Sequence, residues 1–298
     1  MPQFAIIAVS ILFDGLAYAM FLFITSVGLS VTMGLMGFVN LAHGAFAMAG
    51  GYITVLLMQR MDVPFLACLP LAFIGSALLG ALAERTLYRP LYRKPHLDQV
   101  LFSIGLTFMA VAATDYFMGS TQQIIQLPGF LRGRTEIGSG DWILGMGHYR
   151  LFIIAVCAAL TVGLQFVLAR TRFGSRLRAS VDDQRVAAGL GINVNIVFLA
   201  TFAFGSGLAG LGGALGAEVL GLDPSFPLKF MIYFLIVVAV GGTSSITGPL
   251  LAALLLGIAD VAGKYYIPKL GAFIVYSVMI AILIWRPQGL FVRRGGKA

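Results

Sequence analysis

The sequence predicts an all-α, polytopic membrane protein, and three observations carry that expectation. Hydrophobic residues fill 59% of the 298 positions and charged residues only 11%, against roughly 45–50% and about 25% in globular chains. The apolar residues gather into nine runs, most of them close to the ~20 residues that a helix needs to cross a bilayer. The basic residues fall between these runs, where membrane topology puts them. A soluble fold of this length has no interior large enough for so many apolar side chains. The same figures exclude disordered, collagen-like, coiled-coil and disulfide-scaffold chains.

In chain order the runs cover 11–33, 41–58, 63–83, 99–118, 151–169, 196–221, 230–247, 249–262 and 270–285. About nine spans are expected, within a range of eight to ten, over a single transmembrane domain of residues 1–298. The first run reads as a retained span, because neither a basic region nor a small-residue cleavage site accompanies it. Two stretches are expected to be broken or re-entrant helices. Residues 34–51 mix Asn40, His43 and several glycines into apolar sequence, and 241–249 do the same with Thr243, Ser244, Ser245 and Thr247. Polar, glycine-rich backbone at membrane depth survives only where protein covers it or a wet cavity receives it. The run from 205 to 221, GSGLAGLGGALGAEVLG, sets Gly212 and Gly216 in GxxxG spacing, with Gly205, Ala209 and Gly213 nearby. Small residues let helix backbones approach where lipid offers no hydrophobic drive. The coincidental GxGxxG at Gly205, Gly207 and Gly210 lies inside a span and follows no strand, so it is no dinucleotide fingerprint.

Orientation follows from Lys and Arg. The 85–94 loop, the 170–185 segment and the tail beyond 285 hold thirteen of the 20 basic residues, and alternating spans put all three on one side. The positive-inside rule makes that side cytoplasmic. The C-terminus then faces the cytoplasm, while the N-terminus, the 119–150 loop and the 222–229 turn face out. The net charge of +8 follows from this pattern and carries no nucleic-acid signature.

The chain lacks the residues of most chemistries. HExxH, GxSxG, CxxC and the P-loop GxxxxGK[ST] do not occur, and His43, His96 and His148 are scattered over three segments, so neither a catalytic centre nor a metal site is expected. Cys68 and Cys157 lie in apolar runs and read as buried free thiols. Without a P-loop, ATP-driven transport would need another subunit to hold the nucleotide. An ion-coupled secondary transporter of a small polar solute is the competing class. It needs carboxylates at depth, and only Asp14, Asp115, Glu218 and Asp260 offer them, each near a span end.

The segment 171–193, TRFGSRLRASVDDQRVAAGLGIN, is too polar to span. Leu177, Val181 and Ala188 share one side of a helix and Arg178, Asp182 and Arg185 the other, which predicts one short amphipathic helix at the membrane face. Gly189 and Gly191 end it.

Four blocks, GLMGFVNLAHGAFAMAGGY (34–52), the 171–193 stretch, VGGTSSITGPLLAALLLGIAD (240–260) and RPQGLF (286–291), together resemble the H-type permease of bacterial branched-chain amino acid ABC importers. The resemblance runs over nearly the whole chain in the same order. It implies an inner-membrane permease working with a homologous second permease, two cytoplasmic ATPase subunits and a periplasmic substrate-binding protein, and with no cofactor of its own beyond the ATP those subunits bind. It further implies that 170–195 is a cytoplasmic coupling segment that docks in an ATPase groove. The family pattern falls on Arg178, Ala179, Asp183, Ala187, Gly191, Ile192 and Asn193. The Asn–Leu–Ala–His–Gly block falls on Asn40 to Gly44. With Gly242, Thr243 and Ser244, the residues Asn40, His43 and Gly44 are the candidate substrate pathway. Two positions depart from the family pattern: Ala45 stands where an acid often follows His–Gly, and Gly242 to Ser245 replace a glycine–isoleucine–glycine–serine turn. Both bear on substrate, with amino acids, urea and short amides among the solutes of relatives.

Overall fold

A computed structural model describes residues 2–36, 38, 40–92, 94–137, 144–242, 247–286, 289 and 290. The chain is built from α1 (Pro2–Met36), α2 (His43–Met61), α3 (Phe65–Ala83), α4 (His96–Met118), a short α5 (Gly129–Arg132), α6 (His148–Arg170), α7 (Arg172–Asp182), α8 (Gln184–Gly189), α9 (Val194–Leu220), α10 (Phe226–Gly241), α11 (Thr247–Tyr266) and α12 (Gly271–Trp285). A π turn over Glu84–Tyr88 and a 3-10 turn over Arg89–Leu91 extend α3. The nine apolar runs correspond one for one to α1, α2, α3, α4, α6, α9, α10, α11 and α12.

Among the described residues six helices, not nine, are long and apolar enough to cross a bilayer: α1, the extended α3, α4, α6, α9 and α11. The apolar α10 and α12 are shorter, at 16 and 15 residues. In α2, His43, three glycines, Gln59 and Arg60 dilute the hydropathy of 19 residues. The protein is therefore an all-α polytopic membrane protein, with a small β element among the described residues. Within the 119–150 loop, Arg134–Ile137 (β1) pairs antiparallel with Leu144–Gly147 (β2), a hairpin that the hydropathy of the sequence does not reveal.

At the centre stands α9. It packs against α3, α2 and α1, and α1 in turn holds α11, α6 and α10. Its glycines make this possible, and they face different neighbours. Gly205 meets Gly28 of α1, Gly212 meets Thr25 and Gly216 meets Phe21 on the same helix, while Gly213 lies on the Ala47 backbone of α2 and Gly207 on Phe73 of α3. The small residues thus build a three-sided hub within the chain, where the sequence alone suggested one GxxxG stripe.

The first suspected break is, as expected, an interruption between two helices. Residues 34–51 divide into the end of α1, a turn at Leu41–Ala42 and the first half of α2. In the second, α10 stops at Gly241 and α11 starts at Thr247; the expectations for Thr243 and Ser244 fall outside the described residues. The 171–193 segment differs from expectation. It forms two helices, α7 and α8, because Asp183 interrupts the run and caps the second. Its Oδ1 accepts the amides of Arg185 at 2.8 Å and Val186 at 3.0 Å, and an acid in that place favours starting a helix over continuing one. The change of axis turns Ala187 inward and leaves Ala188 exposed.

Candidate functional site

Thr171 caps α7, its hydroxyl accepting the Gly174 amide at 3.4 Å. Buried Leu177 and Ser180 set the inner face of α7, and Ala187 that of α8. Against that inner face pack α6, α9 and α1. Arg178 stays exposed and donates to the Leu168 carbonyl at the end of α6, which neutralises one of the open acceptors there. Asp183 and Gly191 are exposed, Ala179 and Ile192 half-buried. Gly191 adopts φ +81°, a left-handed value that suits glycine, and Ile192 closes the turn by donating to the Ala187 carbonyl at 3.1 Å. Asn193 then caps α9 through the Ile196 amide at 3.2 Å. On the outer side, Val186 and Leu190 are 58% and 75% exposed. Arg85 and Arg89 of the first basic loop share a surface depression with Asn193, Asn195 and Ile196. Two basic regions far apart in sequence therefore occupy one end of the bundle.

Asn40, His43 and Gly44 occupy a different place, in the interior. Asn40 Oδ1 accepts the Ala42 amide at 3.0 Å and the Tyr88 hydroxyl at 3.1 Å, and its Nδ2 has no partner among the described residues. The His43 Nε2 lies 2.9 Å from the Thr25 carbonyl of α1. Ser103 of α4 accepts the Leu41 amide at 3.1 Å, and Thr107 donates to the Leu41 carbonyl at 3.4 Å. A Cβ on Gly44 would stand 3.1 Å from Pro227 Cα, so this glycine admits α10. Aromatic rings close the site: Tyr88 stands 5.2 Å from Phe38 and 4.8 Å from Phe202 between ring centres. The arrangement satisfies the Leu41 and Ala42 backbone groups ahead of α2, as buried polar groups require. Thr25, Tyr88, Ser103 and Thr107 complete it. Sequence reasoning missed them because each is an ordinary residue of its own helix. Gly242 ends α10 with φ +80° and borders the tail, where Leu290 donates to the Val240 carbonyl at 2.8 Å. Two of the resembling blocks thus meet in space.

Long apolar helices around a glycine hub, with a capped pair of short helices at one end, define a polytopic helical membrane protein. The profile of the family described as branched-chain amino acid transport system / permease component matches residues 11–283, and the chain belongs to that family. Among its relatives, the high-affinity branched-chain amino acid transport system permease protein BraD of Pseudomonas aeruginosa is 28% identical over 295 residues, 95% of each chain. The probable branched-chain amino acid transport permease protein LivH of Methanocaldococcus jannaschii is 27% identical, over 94% of this chain and 91% of the relative. The chain is also 27% identical to the permease protein LivM of Escherichia coli, over 90% of this chain and 67% of that longer protein. No solved structure matches it.

Proposed function

We propose that this chain is the membrane-spanning permease subunit of an ATP-driven importer of branched-chain or other amino acids in a bacterial inner membrane. The names of its relatives support the substrate class. Similarity to both H-type and M-type permeases supports pairing with a homologous second permease. In this reading ATP is held by two cytoplasmic subunits and the solute arrives on a periplasmic binding protein. The chain makes nine crossings, with the N-terminus outside and the C-terminus inside. The shortest of these crossings are α10 and α12, at 16 and 15 residues.

The α7–α8 pair is the single observation that carries the reading. Its inner face is anchored by Leu177, Ser180 and Ala187, while Arg178, Asp183, Val186 and Leu190 are presented outward. A rigid, capped element with charged and apolar groups on its free side suits a groove on an ATPase, and movement of that groove would shift α6 and α9 directly. Asn40, His43 and Gly44, with Gly242, flank the solute path as the joints of that movement. A switch driven this way requires unequal binding to the two states.

The test is reconstitution with the cognate ATPases and binding protein. Arg178→Glu and Asp183→Arg are expected to insert normally, yet to separate ATP hydrolysis from uptake. Wild-type coupling in both variants would overturn the reading. Uptake by the lone chain under a proton or sodium gradient would favour an ion-coupled carrier instead.

A further inference from the structure

A cavity of about 200 Å³ lies between α1, α6, α9 and α11, far along the bundle from α7 and α8. Its wall holds four charges. Arg150 at the start of α6 pairs with Asp14 of α1. In α11, Lys264 donates to Asp260 at 2.5 Å, and the ammonium also stands 5.3 Å from the centre of the Tyr18 ring. The rest of the wall is largely apolar, with Phe21, Ile153, Val219 and Val261.

The two acids differ. Asp14 is one-third exposed, whereas Asp260 is 1% exposed. Only one of its oxygens is engaged; Oδ1 has no hydrogen-bond partner among the described residues. A buried carboxylate is normally met by donors on both oxygens, so Asp260 has capacity that Lys264 alone does not fill. Lys264 is 55% exposed, on a flexible stem that lets its ammonium swing without disturbing the helices. The four charges sum to zero, so a zwitterion leaves a site walled by low-dielectric side chains in balance. A cation of the same shape adds one uncompensated charge and binds more weakly.

From this geometry we infer that the cavity binds a small zwitterion bearing a primary ammonium, with Asp260 taking the ammonium, Lys264 and Arg150 taking the anionic group, and the apolar wall taking an aliphatic chain. A free aliphatic α-amino acid and the ethanolamine headgroup of a phospholipid share that chemistry. For the free amino acid the inference deepens the transport reading and rests on it. Its test needs neither ATP nor partner subunits, so failure of binding and failure of coupling are read separately.

The purified full chain is placed in phosphatidylcholine nanodiscs, whose choline offers no N–H donor, and titrated calorimetrically with L-leucine and with isoamylamine, the same chain without its carboxylate. Losing a charge-assisted hydrogen bond corresponds to about tenfold or more in affinity. Asp260→Asn is expected to weaken both probes by that factor. Arg150→Gln, at a half-exposed position, is expected to weaken leucine but not isoamylamine, since its loss removes a positive charge that only the carboxylate needs. If neither probe binds, native mass spectrometry of nanodiscs containing phosphatidylethanolamine decides. Retention of that lipid by the wild type and its loss in Asp260→Asn supports the headgroup as the source of the same ligand chemistry. Absence of all three ligands, or equal binding by wild type and Asp260→Asn, overturns the inference. So does equal loss of leucine and isoamylamine in Arg150→Gln.

Discussion

Gly28 of α1 and Gly205 of α9 cross backbone to backbone: a Cβ on Gly205 would stand 3.2 Å from the Cα of Gly28. Gly50 of α2 and Gly210 of α9 make a second crossing of the same kind. Where backbones touch, an added methyl group can only push the helices apart. Gly50→Ala and Gly28→Ala are each expected to lose about 1–3 kcal/mol of stability through overpacking. Gly105→Ala in α4, where nothing lies within 4 Å, is expected to hold or gain up to about 1 kcal/mol through helix propensity. Thermal unfolding in detergent of the three variants checks the contrast.

At Asp183 the cap and the charge can be separated. Asparagine caps a helix about as well as aspartate, whereas alanine loses about 1 kcal/mol. Asp183→Asn is expected to keep α8 intact and Asp183→Ala to fray it, as amide exchange at Arg185 and Val186 would report. Coupled transport that survives Asp183→Asn and fails in Asp183→Ala would assign the role to the shape of the helix pair.

Asn40 holds both the Ala42 amide and the Tyr88 hydroxyl. Asn40→Ala strands a buried hydroxyl and is expected to reduce stability by about 1–3 kcal/mol. Tyr88→Phe removes only one partner and is expected to lose less. A reconstituted transporter whose KM for solute is unchanged in Tyr88→Phe, while its melting temperature falls, would mark the hydrogen bond as a joint in the scaffold.

The turn between α9 and α10 carries an acid-sensitive link. Burial draws the Asp223 carboxyl upward, but Lys229 and the hydroxyl and amide of Ser225 outweigh it and hold the group below the usual carboxylate range. A depressed carboxylate stabilises the fold at every pH above its unfolded value, about 3.9, and that contribution is lost as pH falls through the lower folded value. Asp223→Asn is therefore expected to lower the melting temperature at neutral pH and to flatten its decline at the acid end.

Hydropathy is a local property, and for that reason the nine apolar helices and the polar interruption before 194 were legible from residue order. So were the candidates for a helix hub: Gly205, Gly212, Gly213 and Gly216 all lie at helix contacts. Which neighbour each glycine meets was not legible, because a helix presents small residues around its whole circumference and only the placement of α1, α2 and α3 selects among them. The break at Asp183 was open to misreading for a related reason. An acid in a helical pattern is either an exposed side chain or a cap, and the backbone direction after it decides.

Composition and charge by themselves determined that this is a polytopic helical membrane protein, since transfer of side chains between water and lipid depends on residue type and hardly on neighbours. Tertiary structure alone decided that Asn40 meets Tyr88, that Arg85 and Arg89 share a surface with Asn193, and that Asp14, Arg150, Asp260 and Lys264 ring one cavity. Each of those groupings joins segments tens to hundreds of residues apart. Their meeting depends on how closely glycine-faced helices cross, a geometric outcome that no single segment encodes.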